Sequence, residues 1–147
     1  MLKNIGSAVL GYVVIFVAIF ITFTIAYLIL GTNGSFQEGT YEVSFSWIVI
    51  SIVLSIGAAI LGGFVTKLVA KNDIAVKILA GIVLVLGLAM AVVQMSADTS
   101  DLPAVRDETV ESMDAMNNAV SPTWMNFLNP LLGVLGVMYG GKLKKIA

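Results

Sequence analysis

Between Glu42 and Lys67 the chain reads VSFSWIVISIVLSIGAAILGGFVT, 24 residues without a charge. A hydrocarbon core roughly 30 Å thick is crossed by about 20 apolar residues in a helix. The run is continuous instead of alternating. It therefore reads as a helix that satisfies its own backbone in lipid, not as a barrel strand. Three similar runs accompany it: 34 uncharged residues separate Lys3 from Glu38, 20 separate Lys77 from Asp98, and 27 separate Asp114 from Lys142. The spacing predicts helices over Ile5–Leu30, Phe45–Val69, Ile74–Met95 and Pro122–Gly141. The fold class is thus an all-α membrane protein with four transmembrane helices as two tandem hairpins. The first run greatly exceeds a signal-peptide core of about 7–15 residues, so it reads as a retained anchor. It is also longer than one crossing needs, which predicts tilt or protrusion.

Local chemistry marks the helix ends. Gly31-Thr-Asn-Gly34 is a turn sequence. Lys71-Asn72-Asp73 makes a very short connection. Ser121-Pro122 pairs an N-cap with a proline in the first turn.

Composition agrees with this reading. The 147 residues suffice for one domain, and 59% are hydrophobic against 12% charged. Soluble domains run at about 45–50% and about 25%. There is no Cys and no His. This removes disulfides, thiolate and imidazole chemistry, and the commonest zinc and haem ligands. No basic stripe points to nucleic acid.

Charge is segregated. Lys3, Lys67, Lys71, Lys77, Lys142, Lys144 and Lys145 share one side, with Asp73 alone against them. The other side holds Glu38, Glu42, Asp98, Asp101, Asp107, Glu108, Glu111 and Asp114, with Arg106 the only base. The positive-inside rule makes the lysine side, and both termini with it, cytoplasmic.

The second and fourth runs resemble each other. Ser44-Phe-Ser-Trp47 parallels Ser121-Pro-Thr-Trp124, and each is followed by a glycine pair, Gly62-Gly63 and Gly140-Gly141. Lys67 and Lys145 each follow the first glycine of their pair by five residues. These parallels point to two repeats, 1–71 and 72–147. They are equally the marks that tryptophan and glycine leave at membrane interfaces. Pro130 falls where the two differ in length and is expected to kink the fourth helix.

Small residues define packing faces. Ser51, Ser55, Ala59 and Gly63 recur every four positions, as a small-xxx-small stripe does. Asn129, Gly133 and Gly141 mark the equivalent line on the fourth helix, and Gly136 and Gly140 make a GxxxG beside it. Tyr12, Phe16, Phe20, Phe23 and Tyr27 form one aromatic ridge on the first helix. That ridge either packs into the small residues of the second helix or faces lipid. The glycine pairs end helices instead of opening them, so they make no phosphate cradle.

The spans carry no ionisable residue at their centres, whereas ion and proton pathways usually do. The polar residues at depth are Thr22, Thr24, Ser51, Ser55, Gln94, Asn126 and Asn129. They either bond to helices or, for Gln94, Asn126 and Asn129, line a shallow outward-facing pocket. Residues 96–121 read as an outer loop. Pro103 starts a short amphipathic helix there, ending near Asn117, with Leu102, Val105, Thr109, Met113 and Met116 on its apolar stripe. Its acidic face, Asp107, Glu108, Glu111 and Asp114, is suited to partner docking or simple solvation. No EF-hand pattern accompanies the carboxylates.

The motifs Gly62-Gly-Phe-Val-Thr-Lys-Leu-Val-Ala70, Pro122-Thr-Trp124 and Gly140-Gly-Lys-Leu-Lys144 resemble those of small, functionally uncharacterised bacterial four-helix membrane proteins. The resemblance implies residence in the bacterial cytoplasmic (inner) membrane and carries over no activity. Arginines usual at such helix ends are lysines here.

Neither a catalytic group nor a cofactor is expected. The partners expected are the lipid bilayer and other membrane subunits or further copies, not nucleic acid. The first functional expectation is a non-catalytic accessory or scaffold subunit of a larger membrane complex. The second is a small oligomeric channel or transporter with an outward-facing polar pocket.

Overall fold

The computed structural model describes residues 1–96 and 105–143, and these form five helices and no strand. The helices are α1 (Leu2–Ser35), α2 (Phe45–Ala70), α3 (Asp73–Ser96), α4 (Ser112–Asn118) and α5 (Thr123–Leu143). Three of them, α1, α2 and α3, are long and apolar enough to cross a membrane and mark the chain as a membrane protein. At 21 residues α5 is about as long as a crossing needs. Asn126, Asn129, Pro130 and its glycines make it less apolar than the other three.

The ends follow the turn chemistry. Gly31 adopts φ 66°, so regular α1 stops at Leu30 and residues 32–35 form a separate turn. That backbone conformation favours glycine. Ser44 caps α2 by accepting from the Trp47 amide at 3.1 Å and donates its hydroxyl to the Gly34 carbonyl. At the opposite end, Lys71 closes α2 in the left-handed conformation, φ 59°. Asn72 then accepts from the Ala75 amide at 3.1 Å and donates to the Asn4 side chain at 2.8 Å. Lys67, largely buried, pairs with Asp73 at 2.6 Å across the same turn.

Two helices form the centre. α2 and α5 run in the same direction and approach through small residues. A Cβ added at Gly63 would meet the Val137 backbone, one at Gly136 would lie 2.7 Å from the Ala59 Cβ, and one at Gly140 would meet the Ile60 backbone. α1 lies antiparallel on α2, with Gly11 against Gly62 and the Thr66 hydroxyl donating to the Ser7 carbonyl at 3.3 Å. α3 lies antiparallel on α5, with Val76 against Gly141 and Gly87 against Pro130.

The core is consequently split. One cluster, including Ala8, Ile15, Ala59, Val76, Leu79 and Val137, sits toward the lysine-bearing end. The other, Tyr27, Phe36, Val43 and Ala115, sits under α4.

Within the stripe of Ser51, Ser55, Ala59 and Gly63, Ala59 and Gly63 pack on α5, whereas the close approach of α1 to α2 falls at Gly11 and Gly62. Gly133 meets Val83 of α3, whereas Gly136 and Gly140 meet α2.

The amphipathic helix is also shorter than its sequence pattern, beginning at Ser112. The backbone before it is committed elsewhere. Arg106 N–H donates to Gly39 O at 3.0 Å, Val110 N–H donates to Thr32 Oγ1 at 3.3 Å, and Val110 O accepts from the Tyr27 hydroxyl at 2.6 Å. Peptide groups used this way cannot also close helical turns. Val105, Thr109 and Met113 are exposed, and Met116 and Ala119 are the half-buried residues facing inward. Leu102 and Pro103 lie outside the described residues, as do Asp98, Asp101, Lys144 and Lys145.

The glycine contacts predict a directional result. Gly140→Leu forces a branched side chain into the Ile60 backbone, and overpacking of that kind costs about 1–3 kcal/mol or more. Gly57→Leu, which adds its Cβ into open space, is expected to leave thermal unfolding in detergent nearly unchanged. Equal melting temperatures for the two variants would contradict the packing.

Candidate ligand-binding pocket

Away from the lysine-bearing end α1, α2, α3 and α5 enclose a space under α4. It is a pocket of about 520 Å³, within the usual range of small-molecule sites, about 300–1,000 Å³.

Each wall has a distinct chemistry. α1 supplies the aromatic ridge, with Tyr12, Phe16, Phe20, Phe23 and Tyr27 all lining the pocket. Its upper part is held rigidly: Phe23 and Tyr27 meet the Trp47 ring edge to face at 5.6 and 6.2 Å. Its lower part is not covered, and Phe16 and Phe20 remain 64% and 47% exposed. α3 forms the opposite wall with Val83, Leu86, Met90, Ala91 and Gln94. Leu86 and Met90 are likewise exposed. The floor comes from α2 and α5: Ser51, Ser55 and Ala59 face Asn126, Asn129 and Gly133. The floor is buried or half-buried while the rims are exposed, so the pocket opens sideways between α1 and α3.

The end distant from the lysines is covered. Ala115, Met116 and Ala119 close it from above, beside Ser35, Phe36 and Ser121. This cap is fastened to the loop between α1 and α2. Val43 N–H donates to Val120 O at 3.1 Å, and Val120 N–H donates to Tyr41 O at 2.9 Å. Arg106, 6% exposed, donates through Nε to Thr40 O at 2.7 Å and lies 5.4 Å from the Phe36 ring centroid.

The hydroxyls divide into two groups. Thr22, Thr24 and Ser51 donate to their own helices, at Ala18 O, Phe20 O and Ile48 O. Such back-bonding satisfies a polar side chain in an apolar setting. Two buried atoms in the pocket lining have no partner: Ser35 Oγ and Asn129 Oδ1.

The structure therefore brings Gln94, Asn126 and Asn129 together from two helices, and adds Ser51, Ser55, Ala59 and Gly133, which the sequence marked for packing. Gly63, Gly136 and Gly140 stay in the interface of α2 and α5. Asp107, Glu108, Glu111 and Asp114 are exposed on the cap and line no part of the pocket. Ser35, Ser121 and the aromatic wall were not legible as pocket groups. The only available signal was the ridge itself, whose period shows a face but not what the face meets. Among the described residues the lining holds no charged side chain, and no acidic cluster could hold a metal ion.

No protein-family model, curated protein or solved structure matches the chain.

The cap's attachment is testable. Tyr27→Phe removes the donor to Val110 O, and a buried hydrogen bond contributes about 1 kcal/mol. Hydrogen exchange across residues 106–119 is expected to accelerate about five- to tenfold, with exchange in α2 unchanged. Unaltered exchange in the cap would show that it is held by other means.

Proposed function

We propose that this chain is a non-catalytic membrane protein that binds an apolar molecule drawn sideways from the bilayer. The observation that carries the reading is the pocket between α1 and α3, with its apolar aperture and polar floor. Binding sites of this kind combine a mostly apolar lining with a few convergent polar groups. Nothing in the chain's chemistry favours turnover, since it has neither Cys nor His and the described lining is uncharged. The reading develops the expectation of an outward-facing polar pocket in a small transporter-like protein, with a lateral entrance in place of an aqueous mouth.

In this reading α5 is the fourth crossing, and the chain is two tandem hairpins, α1 with α2 and α3 with α5. Support comes from the antiparallel packing within each pair and the parallel packing of α2 on α5. The same relation supports internal repeats 1–71 and 72–147. Segregation of lysines from carboxylates supports termini on the cytoplasmic face, and the resemblance noted in the sequence favours a bacterial inner membrane. A second role, as an accessory or scaffold subunit or in an assembly of several copies, is supported by the exposure of Asp107, Glu108, Glu111 and Asp114 on the cap. Their neutralisation to amides should then abolish recovery of a defined larger assembly.

Two measurements test the main reading. Native mass spectrometry from mild detergent should show the protein with one retained apolar adduct. Ser55→Phe, which fills the floor, should lose it while melting normally. Equal adducts in both would overturn the pocket's role. For topology, a cysteine at Glu38 should react with an impermeant thiol reagent on intact cells, and one at Lys71 only after permeabilisation. The reverse pattern would invert the orientation.

A further inference from the structure

We propose that the pocket takes one acyl chain of a phospholipid from the leaflet on the cap side, held upright. Its ester group lies beside Gln94 and its chain end near Phe16 and Val83, while the head and the second chain stay in the bilayer. This deepens the pocket-binding reading and rests on it, the apolar molecule of that reading being one chain of a larger lipid.

Helix register sets the depth of each wall. The contacts of Gly11 with Gly62 and Leu79 place these three at one level. Counting 15 residues from each toward the cap reaches position 26 of α1, Trp47 of α2 and Gln94 of α3. Gln94 therefore shares a level with Tyr27 and Trp47, residue types that settle at membrane–water interfaces. It is exposed, and it is the one polar residue that α3 gives the lining. Its amide can donate to an ester carbonyl. At the rise of a helix, Met90 lies about 6 Å deeper and Leu86 about 12 Å deeper. By the same count from Gly11, Phe16 and Phe20 of α1 fall level with positions 84 and 88 of α3. These four apolar side chains are exposed along the aperture. The wall is thus polar toward the cap and apolar below, which is the order of ester and chain in a lipid of that leaflet.

The height fits as well. Val83, the deepest residue of α3 in the lining, is 11 residues from Gln94. That is about 16 Å along the helix. One leaflet of a hydrocarbon core roughly 30 Å thick is about 15 Å. Two polar atoms of the floor are withdrawn from the chain's path, since Asn129 Oδ1 is buried and the Ser51 hydroxyl is bonded to Ile48 O.

Charge and volume narrow the occupant. The described lining contains no Lys, Arg, Asp or Glu. A phosphate drawn inside would lack a counter-ion, so the head remains in the headgroup layer. The sideways opening between α1 and α3 lets it do so. A helix of a partner or of a second copy, about 10–12 Å across, would fill over the same height at least about twice the volume present, about 520 Å³.

Photolabelling of the full-length protein in nanodiscs tests the placement. The probe is phosphatidylcholine with a diazirine on one acyl chain, either beside the ester or at the chain end. The ester-side probe should label residues around Trp47, Met90 and Gln94, and the chain-end probe those around Phe16 and Val83. Ser55→Phe, which fills the floor, should remove this pattern while Leu131 and Leu135, exposed on α5, are labelled as before. Gln94→Leu should lower pocket labelling by the ester-side probe about fivefold, the value of one hydrogen bond. Gln94 is exposed, so this variant keeps the fold and serves if Ser55→Phe does not. Labels in reversed order, labels indifferent to the diazirine's position, or unchanged labelling in Gln94→Leu would overturn the upright placement while the pocket stands. If neither probe labels the pocket but native mass spectrometry retains an apolar adduct, the phospholipid assignment falls alone. If neither probe labels it and no adduct is retained, the pocket-binding reading falls with it.

Discussion

The rest of the structure depends on the close approach of α2 and α5 through Gly63, Gly136 and Gly140. In lipid no hydrophobic effect drives helices together, so van der Waals contact and hydrogen bonds must do so. Glycine allows backbones to meet, and here Gly63 sits on Val137 and Gly140 on Ile60. Once those two helices are locked in parallel, α1 and α3 have one groove each to occupy. Gly11 against Gly62 seats α1, and Val76 against Gly141 seats α3. All these contacts lie toward the lysine-bearing end.

Toward the other end the same helices enclose a pocket. The loop after α1 and the segment before α5 then close its far end by exchanging backbone hydrogen bonds, at Val43 with Val120 and Val120 with Tyr41. Tyr27 joins the two layers, since its ring packs on Trp47 and its hydroxyl donates to Val110 O. Ser51, Ser55, Asn126 and Asn129, polar side chains that would be costly against lipid, line this interior. The aromatic ridge of α1 serves as wall above, where it stacks on Trp47, and as rim below, where Phe16 and Phe20 are open.

Several parts were readable from local pattern. Gly31 ended regular α1, Lys71 and Asn72 made the tight turn, and the predicted bounds of α2 and α3 differ from the observed ones by a residue or so. Back-bonding of Thr22, Thr24 and Ser51 followed from short polar side chains on apolar helices. Gln94, Asn126 and Asn129, grouped in the sequence as a pocket, all line the same space. The cap was misread because residues 105–111 carry helical periodicity yet spend their amides and carbonyls on α1 and on the loop that follows it. Periodicity reports which side chains alternate, not which backbone groups have already found partners. The small-residue stripe left its partner open for a related reason. A four-residue repeat identifies a face, whereas the partner helix depends on how the other helices are arranged.

By itself, then, the sequence determined the helices, their turns, the three long apolar segments and the sorting of lysines from carboxylates. Each of these is set by composition over a short window: hydropathy against length, φ preference at glycine, charge next to an apolar run. Only the tertiary structure decided that α5 sits on α2, that the segment before α5 pairs with the loop after α1, and that Ser35 and Asn129 line one pocket. Those features require residues far apart in the chain to meet, as where the Val43 amide donates to Val120 O. Only the packing of whole helices against one another sets such meetings, because local preference does not act over that distance.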